Sequence, residues 1–153
     1  MRKRSIYRPK GVRLDNMAWV KGGMTPMRVS GHNTTLRIKN HGALASMAKG
    51  TGTRGDVDLL IAAFNMAQGM VSVHLGRDWS NELLAASDAV LTMARRGVER
   101  GRFLFTGPEL VAVNMGMEIH DAQLDACTVG ELERAMDIVH KTIAAKKARK
   151  ILQ

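Results

Sequence analysis

A single cysteine, Cys127, stands in a chain of 153 residues. It has no partner for an internal disulfide, which points to a reducing compartment such as the cytoplasm. Aromatic residues are few, two Trp, one Tyr and three Phe, and there are only three Pro. No apolar run approaches the ~20 residues that cross a bilayer, so no membrane association is expected. The basic start is not followed by an apolar core, because Met17-Ala18-Trp19-Val20 stops at Lys21. A secretory signal is therefore not expected.

Several chemistries lack their signatures as well. There is no P-loop, no G-x-S-x-G and no paired-carboxylate pattern. The five histidines (32, 41, 74, 120 and 140) form no H-x-x-x-H or Cys/His cluster, so no metal is expected. The stretch Gly50-Thr-Gly-Thr-Arg-Gly55 matches G-x-G-x-x-G in letters only. A helical "ALASMAK" precedes it instead of a strand, and Asp56 and Asp58 sit where a phosphate would bind. Cys127 has no His–Asn/Asp pattern to make it a nucleophile. A small, semi-buried residue is the simpler reading. No cofactor and no enzymatic activity are expected.

What is present is helix-forming. The chain has 11 Met and many Ala, and 153 residues suffice for one domain with a sizeable core. One pattern occurs three times, each just before an apolar run: Thr53-Arg-Gly-Asp56, Thr106-Gly-Pro-Glu109 and Thr128-Val-Gly-Glu131. The Thr hydroxyl can accept from the free N–H three residues on, while the acid faces the positive end of the helix dipole. Pro108 suits a first turn, where its missing N–H costs nothing. These signals predict helices over 54–75, 107–126 and 129–148. A fourth, over 79–100, begins after Asp78/Ser80 and ends at Gly101. Apolar residues recur at helical spacing in all four, for example Val57, Leu60, Ile61 and Phe64. Ala-rich 40–50 reads as a short helix ended by Gly50, and 34–40 as a short helix or strand. "RFLF" (102–105) reads as an apolar connector under the bundle. The expected fold is all-α, a compact bundle of about four to five helices with an extended basic N-terminal arm. The expected division is an arm and irregular segment over 1–33, where Leu14, Met17 and Val20 dock on the body, and a helical domain over 34–153.

Charge is unevenly placed. Residues 1–13, "MRKRSIYRPKGVR", hold six basic and no acidic side chains; residues 141–153 hold five basic; residues 14–140 hold 12 basic against 14 acidic. A near-neutral body thus carries two cationic ends, and a polyanion would be drawn to those ends. The nucleic-acid-binding candidates are Arg2, Lys3, Arg4, Arg8, Lys10 and Arg13, with Tyr7 available to stack, and Lys146, Lys147, Arg149 and Lys150. The arm equally fits a solvated tail or an anchor for an acidic protein. The C-terminal cations are in part explained by the dipole of their own helix. A second candidate surface is the stripe Asn114, Glu118, Asp121 and Asp125, a partner-binding face or a polar face with cross-helix ion pairs. Arg95, Arg96 or Arg134 are its expected cations. Most methionines read as core filler. Met66/Met70 and Met115/Ile119, at i, i+4, are the pairs that could line an adaptable binding face.

The segments "RKRSIYRPKGVRLDN", "LRIKNHGAL", "DVDLLIAAFNMA", "GRFLF" and "MEIHDAQLDACTVGELERAMDIV" together resemble a group of small proteins encoded by tailed bacteriophages and prophages. That group shares an R-K-R-S-x-Y-R-P start and an M-E-x-H-D-A-Q-L-D helix, and the resemblance covers most of the chain. It implies a phage setting and the cytoplasm of a bacterial host. It carries over no catalytic or binding residue. The reading is a phage-encoded, non-enzymatic accessory or regulatory protein that binds nucleic acid through its cationic ends. The alternatives are a protein-interaction module acting on host machinery, in host takeover or anti-defence, and a virion assembly component. Self-association is compatible with all three.

Overall fold

The computed structural model describes residues 23–29 and 31–145. It is all-helical: α1 Gly31–Ala48, α2 Arg54–Ser72, α3 Ser80–Arg100, α4 Gly107–Ala126 and α5 Val129–Ala144, with single 3-10 turns at Met27–Val29 and Arg77–Trp79. Among the described residues there are only two isolated bridges, Pro26 with Thr128 and Gly52 with Phe103, and no strand.

Each of the three Thr-x-x-acid patterns forms a capping box, at the starts of α2, α4 and α5. The acid accepts from the N–H of its Thr at 2.8 Å in each, and the Thr hydroxyl accepts from the N–H of the acid. Two of the four N-terminal donors that a helix leaves open are thereby satisfied. The start of α3 differs from the expected cap at Asp78/Ser80. Gly76, at φ +76°, turns the chain into the 3-10 turn 77–79, which runs straight into the helix, and Trp79 takes the cap position without a side-chain hydrogen bond.

The larger correction lies at α1. The expected short pieces over 34–40 and 40–50 are one helix of 18 residues. Its buried residues are Asn33, Asn40, Ala43, Leu44 and Met47, a helical spacing whose first two positions are polar. Leu36 is half-buried and Ile38 exposed, so their alternation marks no strand face. The helix begins at Gly31, ahead of the boundary drawn at residue 33.

Helix α2 is the hub and touches each of the other four. The main core joins α1 to α4 around Met47, Leu60, Phe64, Leu83, Met93 and Met117. A smaller cluster, Met27, Met70, Leu124, Cys127, Leu132 and Ala135, joins α2, the α4–α5 corner and the segment before α1. That segment is held by backbone hydrogen bonds, Met27 N–H to Cys127 O and Val129 N–H to Thr25 O, both 2.9 Å. Five of the 11 methionines, 27, 47, 70, 93 and 117, are fully buried and serve as core filler. Phe105 is buried under the bundle, and Gly97 leaves room for the ring of Phe103.

Candidate functional site

The cationic candidates Arg2, Lys3, Arg4, Tyr7, Arg8, Lys10, Arg13, Lys146, Lys147, Arg149 and Lys150 lie outside the described residues. The expected docking of Leu14, Met17 and Val20 lies outside them too. The described residues nearest to these ends are Gly23 and Ala145. Gly23 abuts Gly130 in the first turn of α5, so closely that a β-carbon on Gly130 would stand 2.9 Å from the Gly23 carbonyl oxygen. Ala145 follows the last turn of the same helix. At 1.5 Å per residue, α5 separates the two points by roughly 24 Å.

The stripe on α4 is divided by its neighbours. Arg37 donates from Nη1 to Asp125 Oδ1 at 2.8 Å, and its Nη2 lies 3.6 Å from Asp121 Oδ2. His41 Nε2 lies 2.6 Å from Asp121 Oδ2, and Asn33 donates from Nδ2 to Asp125 Oδ1 at 3.2 Å. Thus Asn33, Arg37 and His41, one turn apart on α1, zip along Asp125 and Asp121 in antiparallel order. The cations facing the stripe are therefore not the expected Arg95, Arg96 or Arg134, because α1 is the helix that covers this side of α4. Arg96 instead grips Glu109 through both terminal guanidinium nitrogens, Nη1 and Nη2, at 2.8 and 2.6 Å. This hydrogen-bonded pair holds the Glu109 carboxyl below the ordinary carboxylate range and raises Arg96 above its ordinary value. Asn114 and Glu118, the other half of the stripe, are exposed.

Glu118 lines a second feature, which sequence reasoning reached only in part. An apolar groove of about 400 Å³ runs beside α4 between Leu75, Trp79, Met115, Ile119, Ala122 and Ala126. Trp79 is 51% and Met115 46% exposed there. The pairing of Met115 with Ile119 was legible as a possible binding face. The arrival of Trp79 was not, since the α2–α3 turn brings it from 36 residues away. Behind the groove, Gln123 donates from Nε2 to the carbonyls of Ala67 and Leu75, at 3.0 and 2.9 Å. Its Oε1 must then accept from His120 Nδ1, 3.3 Å away, which fixes the proton on that nitrogen. Burial pushes His120 below its ordinary value, favouring the neutral ring. His120 and Gln123 thus form a buried clip that closes the α2–α3 turn.

Cys127 is buried with Sγ 3.6 Å from Leu124 O, and burial pushes its thiol up to about 11. It is a packed thiol with no thiolate character at neutral pH. A wedge of about 280 Å³ between α2, α3 and the second half of α5 is lined by uncharged side chains, among them Asn65, Gln68 and Ser87. Among the described residues, no three His, Cys, Asp or Glu side chains gather as metal ligands, and no helix is long and apolar enough to cross a membrane. In comparisons with known proteins, no family model, no curated protein and no solved structure matches the chain.

Proposed function

We propose that this chain is a phage-encoded, non-enzymatic accessory protein that binds nucleic acid through the cationic segments at its two ends. The observation that supports the reading is the separation of charge. The body from 14 to 140 holds 12 basic against 14 acidic residues, while the ends hold six and five cations with no acid. Within the body, Arg37 and Arg96 are already engaged by Asp125 and Glu109. The first and last described residues, Gly23 and Ala145, lie at opposite ends of α5, roughly 24 Å apart, the length of about seven base-pair steps. Such an arrangement suits contact with a phosphate backbone at two points. Fluorescence anisotropy with labelled duplex and single-stranded DNA and RNA tests it. Binding at low salt that weakens when residues 1–13 are removed supports the reading, and no binding to any of them at low salt defeats it.

A second reading, a module that inhibits or adapts host machinery, draws on the exposed Asn114 and Glu118 beside the Trp79–Met115 groove. Host proteins that co-purify after nuclease treatment favour it; partners lost on nuclease treatment favour nucleic acid.

A further inference from the structure

We propose that the folded bundle itself carries a phosphate-binding edge, made of Lys49, Arg54, Arg100 and Arg102, which holds the backbone of a DNA duplex. The edge lies outside the terminal segments and rests on the nucleic-acid reading above only for the class of its partner.

One backbone contact gathers the four cations. The turn between α1 and α2 meets the connector between α3 and α4 at the antiparallel bridge of Gly52 with Phe103. Each of the four lies within three residues of that pair in the chain, so no α-carbon among them is more than about 11 Å from it. All four side chains are exposed. Among the described residues none of them forms a salt bridge, unlike Arg37 and Arg96. The stretches 49–54 and 100–106 contain no acid. Of the acids just beyond them, Asp56 accepts from the N–H and the hydroxyl of Thr53, at 2.8 and 2.9 Å, and Glu109 is held by Arg96. Asp58 and Glu99 are exposed on α2 and α3.

Helix dipoles explain only part of this gathering. They favour Lys49 and Arg100 at the ends of α1 and α3, but Arg54 opens α2, where a cation is disfavoured, and Arg102 lies beyond α3. The edge is also held still. A β-carbon on Gly50, at φ +74°, would stand 2.7 Å from Arg102 Nη2, so the guanidinium lies against bare backbone. Arg96 donates from Nη2 to Leu104 O at 2.9 Å, and Phe105 is buried, which pins the connector from two sides. A pre-set cluster of cations loses little freedom on binding. A duplex carries one phosphate per ~1.7 Å of axis, so an edge of this span meets several.

Fluorescence anisotropy with a labelled DNA duplex, over a range of salt, tests this on the full chain. Replacing Lys49, Arg54, Arg100 and Arg102 together by Ala is expected to reduce the log–log salt slope by up to about 3.6, at ~0.9 per phosphate contact. A control removes the same charge from exposed positions elsewhere on the body, with Arg28, Lys39, Arg77 and Arg134 replaced by Ala, and should leave the slope nearly unchanged. Arg54→Glu alone suits the start of α2, so the fold is kept, and is expected to weaken binding about tenfold; Lys39→Glu should not. Unchanged helical circular dichroism shows that each variant is folded. A slope unaffected by the fourfold change at the edge overturns the inference, and so do equal losses in the edge and control variants, since binding then follows net charge alone. Absence of duplex binding at low salt overturns it as well. The two readings fail separately. Affinity that survives removal of residues 1–13 but collapses in the edge variant defeats the terminal reading and supports the edge, and the reverse pattern overturns the edge alone.

Discussion

Glu109 holds two structures together at once. It caps α4 by accepting from Thr106 N–H at 2.8 Å, and it ties α4 to α3 through Arg96. Glu131 caps α5 in the same way but has no cation within ion-pair distance among the described residues. Glu109→Gln is therefore expected to cost about 1–2 kcal/mol in urea unfolding, and Glu131→Gln less, because only the first also breaks a charge-assisted pair. The sign of the pH dependence follows. A carboxyl held below its ordinary value of ~4.3 stabilises the fold above that pH, and this stability is lost as pH falls through the lowered value. Glu109→Gln should flatten the acid limb of stability below about pH 4.5. His120 acts at higher pH. Its buried ring resists protonation, so its contribution is full above the ordinary ~6.5 and declines as pH falls toward its lowered value. His120→Asn keeps a donor for Gln123 and removes the titration. The drop in melting temperature between about pH 7.5 and 5.5 should shrink in that variant. An unchanged drop would mean that another group sets it.

At the scale of elements, glycine marks where helices touch. A β-carbon on Gly69 of α2 would stand 2.8 Å from Ala135 O and 2.9 Å from Val139 Cγ2 of α5. Gly69→Ala is expected to push α5 away at a cost of about 1–3 kcal/mol, exceeding the gain in helix propensity. Gly42 of α1 has open space instead, so Gly42→Ala should stabilise by about 0.5–1 kcal/mol. Urea midpoints moving in opposite directions would verify both. Helix starts were legible because a cap is a local device: Thr53, Thr106 and Thr128 each meet a partner three residues on. Helix α1 was not read as one piece because Asn33 and Asn40 occupy its buried face, which breaks the apolar period by which helices are recognised. The pairing of Asp121 and Asp125 with His41 and Arg37 was out of reach for another reason. It spans at least 80 residues, and no local pattern says which helix covers α4.

For the whole molecule, the decisive feature is a near-neutral bundle with two cationic ends. Charge of this kind was fully legible, because it needs only counting; what it binds was not, since phosphate and acidic protein attract it alike. Removing residues 1–13 should leave the melting temperature of the bundle nearly unchanged, because the chain is tied to the body at Thr25 and Met27. The central claim is that the arm contacts phosphates, and the salt dependence of binding measures this most directly. Duplex affinity plotted against salt, both logarithmically, should fall steeply for the full chain. Deleting residues 1–13 should reduce the slope by up to about 5, since each neutralised phosphate contributes ~0.9 and the arm has six cations. A slope that is the same with and without the arm would contradict the account.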